Sequence, residues 1–196
     1  MKCSLCGLQI SKNTCEFCGN VTIVEPLVSE YDIELYGKIN NLVQDKIANA
    51  KRPADFRIQG DILVNYTGKS DIVIIPDNIR IIAEHCFKNT NIKKIKFPST
   101  VEYIGNEPKD EYDNNNGAFE FCEELESIFF DNNSRLKSIE KYAFYGCKKM
   151  KAIIGLPMAI KDIKSHAFCQ CDLNETSINA IINNTDKKGL SDDWNK

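Results

Sequence analysis

The chain is poor in the residues on which most enzymes depend. Among 196 residues only two are histidines, His85 and His166, and neither helical nor metal-ligand spacing links them. No glycine-rich phosphate loop, Gly-x-Ser-x-Gly elbow or His-Glu-x-x-His helix occurs. Carboxylates are plentiful, but nothing in a linear sequence pairs two of them across a cleft. The chain is therefore expected to be no enzyme, with no catalytic residue assigned. A basic excess is also missing: 25 Lys and Arg against 28 Asp and Glu leave a net charge of −3, so the whole chain carries no nucleic-acid footprint. No apolar run is long enough to cross a membrane. Met1-Lys2 leads straight into a cysteine motif, not into the apolar stretch of a secretory signal.

What the chain does have is a recurring apolar skeleton. Its clearest copy is Leu136-x-x-Ile139-x-x-x-Ala143-Phe144-x-x-Cys147-x-x-Met150-x-x-Ile153. Another reads Ile160-x-x-Ile163-x-x-x-Ala167-Phe168-x-x-Cys171-x-Leu173. Earlier come Ile79-x-x-Ile82-x-x-x-Cys86-Phe87, then Val101-x-x-Ile104 and, after an insertion, Ala118-Phe119-x-x-Cys122-x-x-Leu125-x-x-Ile128. A period of roughly two dozen residues predicts stacked coils that cannot bury their cores singly. Each coil holds a short strand, such as Ile95-Lys96-Phe97, Ile128-Phe129-Phe130 or Ile153-Ile154-Gly155-Leu156. Pro76, Pro98 and Pro157 follow strands, where a missing N–H ends pairing. The Ala-Phe pair places a small residue and a ring in the core, and the cysteine four residues after the Ala acts as a small apolar filler.

These landmarks together resemble the BspA-like leucine-rich repeat family and its Ala-Phe-x-x-Cys-x-x-Leu motif, over about Phe56 to Leu173. Phe56 to Lys69 looks like the opening coil that often precedes such repeats. The chain departs from the family at Cys86, where Ala is usual, and at Asp131, where Pro is usual. The resemblance implies a leucine-rich-repeat solenoid with a short parallel β-ladder of about four to five coils; the residues before it read, on their own spacing, as a helix preceded by a small zinc ribbon. It also implies a surface offered to protein partners. Many members of the family are surface-exposed. Here no export signal is visible, and the five thiols Cys86, Cys122, Cys147, Cys169 and Cys171 fit a reducing compartment. The expected location is cytoplasmic.

The zinc expectation rests on Cys3-x-x-Cys6-Gly7 and Cys15-x-x-Cys18-Gly19. Twin Cys-x-x-Cys knuckles suit tetrahedral zinc, and glycine after each second cysteine permits the left-handed turn that aims N–H groups at sulfur. Residues 1–20 are too few to hold a core, so metal would organise them. Two disulfides or a redox pair are the alternatives, although a thioredoxin-type motif would need a βαβ context. Four thiolates leave no open position, so the zinc would be structural.

Residues 21–53 read as a helical connector, with Leu35, Ile39, Leu42, Val43, Ile47 and Ala50 at helical spacing and Lys51-Arg52-Pro53 as its end. Its apolar face either covers the open end of the solenoid or forms a dimer. The solenoid itself spans 54–174, and residues 175–196 form a C-terminal cap and tail, with Ile178, Ile181 and Ile182 closing the far end and Trp194 either disordered or a docking anchor. The polar insertion Asn106–Asn116 carries one ring, Tyr112, as a candidate contact. Its acids lack the spacing of an EF-hand loop.

The expected role is a non-catalytic protein–protein interaction module or adaptor. A nucleic-acid accessory acting through the ribbon and a regulatory subunit of a larger complex are the alternatives; of these, only Lys2 and Lys12 speak for nucleic acid. Alternation along the strands predicts an outward column of Ile74, Lys96, Phe129 and Ile154, and an apolar patch of this kind marks an interface. β-propensity alone is the competing reason for Ile and Phe there. Elemental analysis of chain purified under reducing conditions is expected to give about one zinc per chain, held by Cys3, Cys6, Cys15 and Cys18. A metal-free, disulfide-bonded product would overturn this.

Overall fold

A computed structural model describes residues 53–105, 117–158, 160–185 and 192–195. The four knuckle cysteines, the apolar positions between Leu35 and Ala50, and Tyr112 lie outside the described residues.

The repeat skeleton closes into coils with three sides. One side is a parallel four-stranded sheet of β3 (Ile72–Ile74), β5 (Lys94–Phe97), β7 (Ser127–Phe130) and β9 (Ala152–Ile154). Its register lines up Val73, Ile95, Ile128 and Ile153 as the inward row, all of them buried. The second side joins the hairpin β1 (Phe56–Gln59) and β2 (Ile62–Tyr66) to the two-residue strands β4 (Ile81–Ile82), β6 (Tyr103–Ile104), β8 (Ser138–Ile139) and β10 (Asp162–Ile163). Here Leu63, Ile82, Ile104, Ile139 and Ile163 form the buried row. The single ladder read from the sequence is thus two ladders. The second was hidden because two-residue strands are too short to show alternation.

The third side is made by the Ala-Phe turns, and these also pair coil to coil. The N–H of Phe87 donates to the carbonyl of Ala118, that of Phe119 to Ala143 and that of Phe144 to Ala167, at 2.7 to 2.8 Å. Gly117 sits where one turn lies closest to the next: a Cβ there would come within 1.8 Å of the Tyr142 carbonyl oxygen.

Coil stacking puts the phenylalanines in a column. Phe87, Phe119, Phe144 and Phe168 follow one another at centroid separations of 4.7, 4.9 and 5.2 Å, with planes within 12° of parallel. Tyr66 of β2 opens the column 5.0 Å from Phe87, and Phe56 covers Tyr66. The cysteines do more than fill space. Cys122 Sγ donates to the Phe87 carbonyl at 2.9 Å, Cys147 to Phe119 at 3.2 Å and Cys171 to Phe144 at 3.2 Å. The thiol is small enough for the core and still has a weak donor to offer.

At the N-terminal end of the described stack the β1–β2 hairpin adds Phe56, Leu63 and Tyr66 to the core. At the other end lies α1 (Glu175–Asn184), capped by Asn174, whose side chain accepts from the Ser177 N–H at 2.9 Å. Ser177 stands in for a missing neighbour of β9: its hydroxyl accepts from Ile153 N–H at 2.9 Å and donates to Lys151 C=O at 3.2 Å. Ile181 is buried and Ile178 packs on the core, whereas Ile182 is exposed and closes nothing. Trp194 is an anchor: it is buried, edge-on to Phe168 at 6.0 Å, and its carbonyl accepts from the Phe168 N–H.

Two outcomes are expected. Ser177→Ala strands the Ile153 N–H and should lower stability by about 1–3 kcal/mol in chemical denaturation. In native alkylation, Cys171, only partly buried, should react first. Cys86 and Cys147, whose thiols burial pushes up from the ordinary range, should react only on unfolding, because the thiolate is the reactive form. Fast labelling of both in the folded chain would show the core misassigned.

Candidate partner-binding surfaces

The outward column comes first. Pairing does align Ile74, Lys96, Phe129 and Ile154 in one row across the four-stranded sheet. The row is not the open apolar stripe the sequence predicts. Phe129 is 1 % exposed and Ile74 6 %, Lys96 reaches Asp131 at 2.9 Å, and Ile154 is only partly accessible. Facing away from the core is thus not the same as being accessible: Ile74 and Phe129 are buried where alternation predicts exposure.

Accessible rings occur instead on the turn side. Each Ala-Phe turn bends through residues of left-handed backbone. His85, Tyr142 and His166, just before the small residue, have φ of 57°, 57° and 56°, and Asn89, Phe121, Gly146 and Gln170, two after the Phe, have 59°, 58°, 73° and 61°. Asn and Gly suit this region. For a bulky side chain it is costly, by about 1–2 kcal/mol per residue. Phe121 and Tyr142 accept that conformation and remain 37 % exposed each.

These residues make a connected aromatic surface. Phe121 meets Tyr145 edge-on at 5.5 Å, Tyr145 meets Tyr142 at 5.7 Å, and Tyr142 stacks on His166 at 5.1 Å. Gln170 Nε2 donates to the Tyr145 hydroxyl at 3.0 Å. Gly146 makes room for it: a Cβ there would lie 2.6 Å from the Phe121 ring, which rests across the next turn. Charged pairs rim the patch, with Lys88–Glu120 at 2.7 Å and Lys148–Glu123 at 2.7 Å, and Asp193 lies 3.6 Å from His166 Nδ1. Such rim pairs add little energy and tune orientation.

The two histidines belong to this side, in different coils. His85 Nδ1 is 3.9 Å from Glu120 and His166 Nδ1 is 3.6 Å from Asp193. Among the described residues no group of three His, Cys, Asp or Glu is placed to hold a metal. No described helix is long and apolar enough to cross a membrane. Sequence reasoning missed the patch because Phe121, Tyr142 and Tyr145 occupy three different repeat positions. The one available signal was a ring at a position filled elsewhere by Asn89, Gly146 and Gln170. It also missed Glu140, buried against the second ladder and accepting from the Ser138 hydroxyl.

No curated protein matches the chain. Among solved structures it is similar to a leucine-rich repeat protein from Bacteroides capillosus ATCC 29799, at 18 % identity over 67 % of this chain and 93 % of that one, with a TM-score of 0.39. It is similar also to the leucine-rich repeat protein of T. pallidum, at 13 % identity over 67 % and 94 % of the two chains, with a TM-score of 0.24. The BspA type leucine rich repeat region matches residues 47–108 and 112–192 in six copies. With most of its length matched in this way, the chain belongs to the BspA-type leucine-rich repeat family.

Proposed function

We propose that the protein is a non-catalytic binding module for a protein partner, and that the partner docks on the aromatic turn surface of Phe121, Tyr142, Tyr145 and His166. The observation that carries this is two bulky rings held exposed in left-handed backbone. The turn asks for that backbone with Asn89, Gly146 or Gln170 equally well, so a bulky ring at the position costs stability and adds nothing to the fold. Aromatic anchors ringed by charged pairs are the usual composition of an interface centre and rim. Family membership supports the general role, because repeat solenoids present extended surfaces to partners. The twin cysteine knuckles, Cys3, Cys6, Cys15 and Cys18, are retained in the proposal as a structural zinc ribbon on the strength of their spacing. The five free thiols support a reducing, cytoplasmic setting. Tyr112 is retained as an auxiliary contact on the same side of the argument: it is the one ring of a polar insertion.

The test uses substitutions that the turn geometry favours. Phe121→Asn copies Asn89, and Tyr142→Gly puts at φ 57° the residue that reaches this region without steric cost. Each relieves left-handed strain, so stability should stay within about 1 kcal/mol of the parent. Affinity capture from the native cell should nevertheless lose the partner, by tenfold or more for an anchor worth about 1.4 kcal/mol. Capture at parental yield by both variants would place the binding surface elsewhere.

A further inference from the structure

Thiols line one column through the repeat. Cys122, Cys147 and Cys171 hold the same place in successive coils, and each donates to the carbonyl of the Phe one coil earlier, at 2.9, 3.2 and 3.2 Å. Thr90 holds that place one coil before, with its hydroxyl 3.3 Å from the Cys122 sulfur. Equivalent placement sets neighbouring thiols apart by about the rise from coil to coil, which is 5.2 Å between the rings of Phe144 and Phe168. A disulfide joins Cα atoms about 4.4–6.8 Å apart. Cys147 and Cys171 therefore stand at bridging separation, and side-chain rotation with a small approach of the two turns brings their sulfurs together.

Burial singles out this pair. Cys122 and Cys147 are wholly enclosed, so no oxidant reaches a bridge between them directly. Cys171 is only partly buried and is the end of the column that water touches. Burial, and after it the neighbouring thiols of Cys122 and Cys171, push the Cys147 thiol up. Cys171 therefore meets an oxidant first, since the accessible thiolate is the reactive form, and Cys147 waits behind it. Cys169 is closer in sequence but lies on the other side of the turn. It holds the place of Tyr145, and its carbonyl accepts from Gly146 as that of Tyr145 accepts from Phe121. It stands outside the core cluster to which Cys147 belongs and against which Cys171 packs.

We propose that Cys147 and Cys171 are a redox modification site, forming a reversible disulfide between their adjacent coils in response to peroxide. Peroxide first converts the Cys171 thiol to a sulfenic acid: an S–O bond forms, the O–O bond breaks, and one water leaves. The Cys147 sulfur then displaces the hydroxyl of that sulfenic acid. The S–S bond forms, the S–O bond breaks, and the Cys147 proton departs with the hydroxyl as a second water. Two thiols are oxidised and one peroxide is reduced. A thiol reductant returns both cysteines to the free state of the resting chain, as suits a reducing compartment, where disulfides are transient.

The test treats the full chain, purified reduced, with hydrogen peroxide under native conditions and maps its disulfides by mass spectrometry without reduction. The dominant product at these positions should be a peptide pair joined through Cys147 and Cys171 of one chain, lost on adding dithiothreitol. Cys169→Ala should keep this bridge. Cys147→Ala should lose it and leave at Cys171 a sulfenic acid that dimedone labels. Cys171 left as a free thiol, or joined to any other cysteine of its own chain or of a second one, would overturn the proposal. Loss of the bridge in Cys169→Ala, or no dimedone label at Cys171 in Cys147→Ala, would overturn it equally.

Discussion

The separation between coils governs the rest of the structure. Parallel strands held by backbone hydrogen bonds lie about 4.8 Å apart, and aromatic rings stack well at nearly the same distance. The phenylalanine column from Phe87 to Phe168 repeats at 4.7 to 5.2 Å, so backbone and ring periodicities reinforce each other without strain. The turn hydrogen bonds and the thiol-to-carbonyl contacts repeat at the same interval. A coil that slipped would break all of them together. This explains why the Ala-Phe-x-x-Cys landmark travels as a unit: the Ala allows close approach, the Phe stacks, and the Cys ties its coil to the carbonyl of the preceding Phe.

Regularity of this kind fixes the inside and leaves the outside free to vary. The left-handed turn positions illustrate the division. Their backbone conformation is imposed by the repeat, but their side chains point away from the core and range from Asn89 to Phe121 and from His85 to Tyr142. Two coils carry rings there, next to Tyr145, and build a patch that neither could build singly. Specificity in this chain therefore comes from departures at positions where the fold demands a backbone angle and nothing more.

The fold was largely legible because core positions recur, and recurrence survives in a one-dimensional string. Ala143, Phe144, Cys147 and Ile153 announced their places through Ala167, Phe168 and Cys171. Relations between sides of a coil were not legible. Alternation correctly set Phe129 opposite Ile128 and Phe130, but no periodicity states whether an outward residue is wet. The second ladder escaped because Ile81–Ile82 and its partners are too short to display a period. Ser177 and Trp194 escaped for another reason: each imitates, with different chemistry, a repeat element that its own sequence does not resemble. The aromatic surface is assembled across coils from non-equivalent positions, so it became visible only once the coils were stacked.

That imitation at the C-terminal end has a consequence for solubility. A solenoid has no built-in stop, since every coil is a template for another of the same shape. Asp193 and Trp194 accept the two turn hydrogen bonds that a further coil would accept, from His166 and Phe168, and the indole lies on the last ring of the stack. Ser177 satisfies the edge of β9 in the same manner. Together they occupy the end of the described stack and satisfy its last turn and the edge of β9. Without them the exposed strand edge and bare phenylalanine would invite the first coil of a neighbouring molecule, and the protein would become a monomer unit for fibres.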